Sequence, residues 1–146
     1  MASKPIFVLN GSNLNRLGTR EPEIYGRQTL ADVEAICRRA AGRRELRFHQ
    51  SNFEGEIVGW IQEAVGSGSG IVINPAAFTF TSVAILDALK MFPGPVIELH
   101  ISNTHRREAI YRNSLVSTVA TGVIAGLGAG GYAVAVWALL DLLDER

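Results

Sequence analysis

An α/β fold of three layers, a five-stranded parallel sheet covered by helices on both faces, follows from two features of the sequence. Apolar runs of strand length alternate with segments of helical periodicity along the chain, and the runs are continuously apolar rather than alternately apolar and polar. A strand covered on both faces has no solvent side and shows no polar alternate positions, which is the pattern of a parallel sheet. At 146 residues, one domain spanning 1–146 is expected, and a chain of that length buries roughly two-thirds of its unfolded surface.

The elements can be justified in order. Ile6 to Leu9 is a short β-rich run that stops at Asn10-Gly11, a turn pair. From Ser12 to Gln28 neither periodicity is present, yet Asn13, Asn15, Arg16, Arg20, Glu21 and Tyr25 crowd together, and a polar loop of that length in a compact domain usually serves function. Thr29 with Asp32 three residues on resembles an acidic capping box, and Leu30, Val33, Ile36, Cys37 and Ala40 recur at helical spacing up to Gly42. Leu46 to Phe48 is a weak strand. A second helix follows through Ile57, Val58, Ile61, Ala64 and Val65, closing in the run Gly66 to Gly70. Ile71 to Ile73 is a strand, Val83, Leu86 and Leu89 mark a third helix, Val96 to Leu99 a strand, and a short polar segment leads to a strand over Val119 to Ala125 and a final apolar helix. Five strands in this alternation make the expected fold flavodoxin-like.

Composition narrows the function. Formal net charge is zero and 19% of residues are charged, so nothing draws the chain to nucleic acid or to an anionic membrane, and a small molecule is the expected ligand. The single cysteine, Cys37, sits in a helical apolar pattern and points to a reducing, cytoplasmic setting. Near the start, the apolar run Ile6 to Leu9 falls short of the roughly seven residues of a secretory signal. No charge occurs between Arg112 and Asp141, so hydropathy alone would suggest a membrane span there. Gly122, Gly126, Gly128, Gly130 and Gly131 interrupt it, which favours a buried strand, a tight turn and a buried helix.

In an open parallel sheet, ligands bind beyond the carboxyl ends of the strands. Polar residues collect there: Asn10 to Asn13 after the first strand, Asn74 after the third, and His100, Ser102, Asn103 and His105 after the fourth. Glu98, His100 and Ser102 share a period of two, which sets a carboxylate beside an imidazole if the strand continues through them. A carboxylate there fixes the tautomer and raises proton affinity, making His100 a candidate general acid; a structural ion pair is the alternative. The sequence has no thiol cluster or closely spaced histidines for zinc. Gly126, Gly128 and Gly131 satisfy a dinucleotide-binding pattern, but a second strand and an acidic residue about 20 positions on are missing, so a tight turn is expected.

The stretch from Asn10 to Gly26 (NGSNLNRLGTREPEIYG) closely resembles the opening block of the type II 3-dehydroquinate dehydratases, which usually carry Pro where Ser12 stands. The blocks Gln50 to Gly55, Asn74 to Ala77, Thr81 to Ala84, Asp87-Ala88, Glu98 to Asn103 and Ala120 to Ile124 resemble the remaining ones, in order. The resemblance implies a lyase that removes water from 3-dehydroquinate by trans elimination through an enolate, without metal or cofactor, in a cytoplasmic homo-oligomer, a dodecamer built from trimers. It further implies that Tyr25 is the base. A phenol with its reference pKa near 10 is ionised in only about one molecule per thousand at neutral pH. Arg20 would favour the phenolate, Asn13 would hold the water that stabilises the enolate, and His100, oriented by Glu98, would protonate the departing hydroxyl. Asn74 and the backbone amides of Ile101 and Ser102 would take the carboxylate, Asp87 would reach a neighbouring subunit's site, and the loop from Arg16 to Arg27 would close as a lid.

Two positions depart from the family pattern. Phe80 stands where the family usually has His, and Tyr111 where it has Arg, both substrate contacts. Each lost hydrogen bond to a buried polar ligand costs roughly 1 to 3 kcal/mol. Arg112, one position on, is a candidate replacement cation. Three further readings therefore stand beside the dehydratase: a paralogue acting on a related cyclic hydroxyketone with a less polar edge, a ligand-binding homologue without catalysis, and a nucleotide-binding module of the same fold.

Overall fold

The structure, a computed structural model, describes residues 3–144. Its sheet is entirely parallel, with β1 (Ile6–Asn10), β2 (Leu46–Gln50), β3 (Gly70–Asn74), β4 (Val96–His100) and β5 (Gly122–Ala125) in the order β2-β1-β3-β4-β5. This is the flavodoxin-like order the alternation predicts. The chain leaves β1 toward β2 and then crosses to β3 on the other side. The reversal point therefore lies between β1 and β3, where Asn10 and Asn74 end their strands in register.

Alternation along each strand sorts the core into two layers. Ile6, Val8, Val72, Ile97 and Leu99 pack on α2 (Leu30–Ala41) and α5 (Gly131–Asp144), whereas Phe7, Leu9, Ile71, Ile73 and Val96 pack on α3 (Glu54–Ser67) and α4 (Val83–Lys90). Because both faces are covered, β1, β3 and β4 are buried at every residue. The capping box at the start of α2 forms as expected: Thr29 accepts from the Asp32 amide at 3.2 Å, and Asp32 accepts from the Thr29 amide at 2.9 Å. Such a cap is worth roughly 0.5 to 2 kcal/mol.

Several expectations need correcting. The polar loop is not wholly irregular: it folds into a 3-10 turn at Leu14–Arg16 and a four-residue helix, α1 (Pro22–Tyr25), whose first position is a proline. The polar segment after β4 likewise contains 3-10 turns at Thr104–Arg106 and Ala109–Tyr111, and another at Val116–Thr118 delays β5 until Gly122. Gly70 opens β3 rather than closing α3. In α4 the buried face is Ile85, Ala88 and Leu89, with Val83 65% exposed, because Ser82 caps the helix and sets its rotation by accepting from the Ile85 amide. The last strand is not buried: β5 is an edge, with Val123 48% exposed, and α5 leaves Trp137 facing outward. Among the described residues no helix is long and apolar enough to cross a membrane.

Two glycines hold the ligand edge of the sheet together. A Cβ on Gly11 would lie 2.1 Å from the Pro75 carbonyl oxygen, and the Gly11 amide donates to the Asn74 carbonyl at 2.8 Å, so the loops after β1 and β3 touch only because residue 11 lacks a side chain. Gly126, with φ of 89°, turns the chain out of β5 against Asn103, whose Cβ would be 2.9 Å from an added Cβ. The glycine run is thus the expected tight strand-to-helix turn.

Candidate active site

A pocket opens at the carboxyl ends of β1, β3 and β4, lined by residues from four segments: Asn13 and Leu14 after β1, Arg20 and Tyr25 in the polar loop, Asn74 to Phe80 after β3, and His100 to Tyr111 after β4. The geometry follows from parallel strands ending at one edge, which brings loops distant in sequence to the same place.

At the floor, β4 presents Glu98 and His100 on the same side. The His100 Nε2 lies 2.5 Å from Glu98 Oε2, and Glu98 Oε1 accepts from Ser117 Oγ at 2.6 Å. Both residues of the dyad are buried. Burial pushes the Glu98 carboxyl up, but the hydrogen bonds from His100 and Ser117, with the His100 charge, outweigh it and hold the group below the usual range. Glu98 is therefore a carboxylate at neutral pH. It fixes the imidazole ring and leaves Nδ1, which has no protein partner among the described residues, as the nitrogen free for a ligand.

Across the pocket, α1 carries Tyr25, half-buried, between two guanidinium groups. The Arg20 Cζ sits 4.8 Å from the ring centroid, and Arg107 Nη1 donates to the Tyr25 hydroxyl at 3.0 Å. Arg107 in turn lies 4.0 Å above the Tyr111 ring. Tyr111 meets Phe80 edge-on at 5.5 Å, and Phe80 stacks over His100 at 6.4 Å with 20° between planes. A continuous aromatic wall therefore runs from the imidazole to the guanidinium that holds the phenol. Asn13 takes a left-handed conformation at φ of 69°, which Asn tolerates better than most residues, and its amide donates to Asn52 Oδ1 at 2.9 Å.

Comparison with known proteins decides the family. The model of the family described as Dehydroquinase class II matches residues 4–140. The chain belongs to the class II dehydroquinases. It is 63% identical over 141 residues to the 3-dehydroquinate dehydratase 2 of Agrobacterium fabrum, covering 94% of this chain and 95% of that one. It is 59% identical to the 3-dehydroquinate dehydratase of Streptomyces avermitilis over 93% of this chain and 87% of the relative. The type II dehydroquinase from Propionibacterium acnes superposes with a TM-score of 0.90 at 43% identity, covering 96% of this chain and 99% of that one. A 3-dehydroquinate dehydratase-like protein from Bifidobacterium longum gives 0.72 at 31% identity, with 99% of each chain covered.

In this class II dehydroquinase the expected residues Asn13, Arg20, Tyr25, Asn74, Phe80, His100, Ile101, Ser102 and Tyr111 all line the pocket, with Glu98 directly behind His100. Two do not. Asp87 lies exposed on α4 and is not part of its own chain's pocket. Arg112 is a correction: it points away, its Nε donating to the Arg107 carbonyl at 3.0 Å, because the 3-10 turn Ala109–Tyr111 rotates successive side chains apart. The second cation in the pocket, beside Arg20, is Arg107, which the sequence pattern did not single out. Nothing local distinguishes it from Arg106, since adjacent arginines differ only in the direction the turn after β4 gives them. Ser102 also lies beyond the strand, which ends at His100, so it reaches the pocket from a bend. Among the described residues no three His, Cys, Asp or Glu side chains are grouped to hold a metal ion.

Proposed function

We propose that this chain is a 3-dehydroquinate dehydratase, a hydro-lyase that removes water from 3-dehydroquinate by trans elimination through an enolate to give 3-dehydroshikimate. The observation that carries it is the pairing, in one pocket, of a phenol held by a guanidinium with an imidazole held by a buried carboxylate. Tyr25, as phenolate, removes the proton beside the ketone, and the electron pair moves onto the carbonyl oxygen as an enolate. A water held by Asn13 hydrogen-bonds that oxygen. As the enolate collapses, His100 gives a proton to the departing hydroxyl, which leaves as water. Arg20 and Arg107 stabilise the phenolate, Glu98 orients His100, and Asn74 with the amides of Ile101 and Ser102 receives the carboxylate. No step calls on a metal or cofactor.

The aromatic wall supports a second reading of the substrate. Phe80 and Tyr111 line the pocket where a hydrogen-bonding pair is usual, and the Tyr111 hydroxyl has no protein partner among the described residues. That edge suits a cyclic hydroxyketone with fewer polar groups there. Homo-oligomeric assembly, as a dodecamer built from trimers in the cytoplasm, belongs to the same proposal. Its support is that Asp87 is exposed on α4 beside the outward-facing Val83, and that Met91 and Ile110 are 52% and 70% exposed.

The test follows the conjugated enone product by ultraviolet absorbance with 3-dehydroquinate as substrate. Steady turnover that vanishes in Tyr25→Phe supports the dehydratase and rules out the non-catalytic and nucleotide-binding alternatives. If turnover is poor and a Phe80→His/Tyr111→Arg double variant raises kcat/KM at least tenfold, the divergent substrate is favoured.

A further inference from the structure

Behind the pocket a buried polar chain runs back from Asn74 through two residues, Tyr132 and Asn10, that the proposed reaction does not use. Asn74 Nδ2 donates to the Tyr132 hydroxyl at 2.8 Å, and that hydroxyl donates to Asn10 Oδ1 at 2.7 Å. Asn10 Nδ2 donates to the His49 carbonyl at 3.0 Å, while Asn74 Oδ1 accepts from the Ala76 amide at 3.2 Å. Asn10 and Tyr132 are fully buried and neither lines the pocket; Asn74 is 3% exposed and does.

The direction of this chain is fixed at both ends by backbone groups whose roles cannot change. A carbonyl only accepts, so the His49 oxygen requires the nitrogen of Asn10 and turns its oxygen toward Tyr132. A backbone amide only donates, so the Ala76 N–H requires the oxygen of Asn74 and turns its nitrogen toward Tyr132. The two constraints agree: Tyr132 accepts from one amide and donates to the other. Flipping either side chain breaks two hydrogen bonds between buried groups. Burial pushes the Tyr132 phenol well above its ordinary value, so it keeps its proton throughout the working pH range. The second Nδ2 proton of Asn74 is then the donor left over, on a side chain that borders the pocket.

We propose that Tyr132 and Asn10 are positioning residues that lock the Asn74 amide with an N–H bond toward the pocket, making the site selective for a substrate carboxylate. The proposal rests on the carboxylate assignment of Asn74 in the reading above. Ala76, at φ of 53°, is held in an unfavourable backbone conformation next to this chain, in keeping with a turn shaped around the Asn74 oxygen.

Steady-state kinetics of Tyr132→Phe and Asn10→Ser test it, each with thermal melting. The expected result is a KM for 3-dehydroquinate raised about tenfold with kcat changed less than threefold, the mark of lost ground-state binding. Asn10→Ser is the sharper variant, since residue 10 does not reach the pocket and acts only through Tyr132. With Asn74→Ala in place, adding Tyr132→Phe should raise KM no further than twofold. A lowered Tm with KM unchanged, a fall in kcat alone, or a KM effect that persists fully in Asn74→Ala would overturn it. If the parent protein shows no turnover, the activity reading fails on its own. A high-resolution crystal structure of Tyr132→Phe then decides the positioning: the Asn74 amide should leave the Ala76 N–H or split between two rotamers, and an unchanged Asn74 sinks the proposal.

Discussion

Replacing Arg107 with methionine keeps much of the apolar stem over the Tyr111 ring and removes the charge and the 3.0 Å hydrogen bond to Tyr25. A hydrogen bond to a charged group contributes about 1.5 to 3 kcal/mol. At 1.4 kcal/mol per tenfold, its loss from the phenolate lowers kcat at neutral pH by roughly 10- to 150-fold. The sign follows from the charge: a neutral methionine leaves the negative charge that develops on the Tyr25 oxygen without the cation that donates to it. Arg107→Lys, which keeps the charge but not the planar fork, falls between. The assay is the enone absorbance at neutral pH, with circular dichroism to verify folding. A kcat within twofold of the parent would refute the role given to Arg107.

Three other perturbations test separate parts of the structure. The depressed Glu98 carboxyl contributes stability that is fully present above its ordinary pKa of 4.5 and is lost as pH falls through its lower folded value, so Tm should drop more steeply with acid in the parent than in Glu98→Gln; parallel curves would contradict the dyad. Cys37 is buried, and desolvation followed by the Glu34 charge pushes its thiol up to about 12, so a disulfide reagent at neutral pH should label the denatured chain stoichiometrically and the native one negligibly. Gly11→Ala forces a Cβ against the Pro75 carbonyl oxygen and should cost at least about 2 kcal/mol, read as a Tm lowered by roughly 4 to 8 °C with weakened substrate binding; a neutral substitution would mean that the loops after β1 and β3 need not touch.

Much of this protein was legible in its residues. Continuously apolar strands determine burial on both faces, the Thr29–Asp32 spacing determines where α2 begins, and the period of two through Glu98 and His100 determines that they meet, because these are consequences of local geometry. Half-exposed β5, the outward Val83 and the short helix under Tyr25 were not legible, since they depend on which neighbours a segment finds rather than on its own pattern. The same division holds within the pocket. Sequence alone supplied Tyr25, Arg20, Asn13, Asn74 and His100, each carried by a strand end or a recognisable motif. Only the tertiary structure selected Arg107 over Arg106 and Arg112, joined Phe80 to Tyr111, and strung Asn10, Tyr132 and Asn74 into one directed chain. The physical reason is that a hydrogen bond between residues 122 apart is set by the packing of α5 against the sheet, and no local periodicity encodes it.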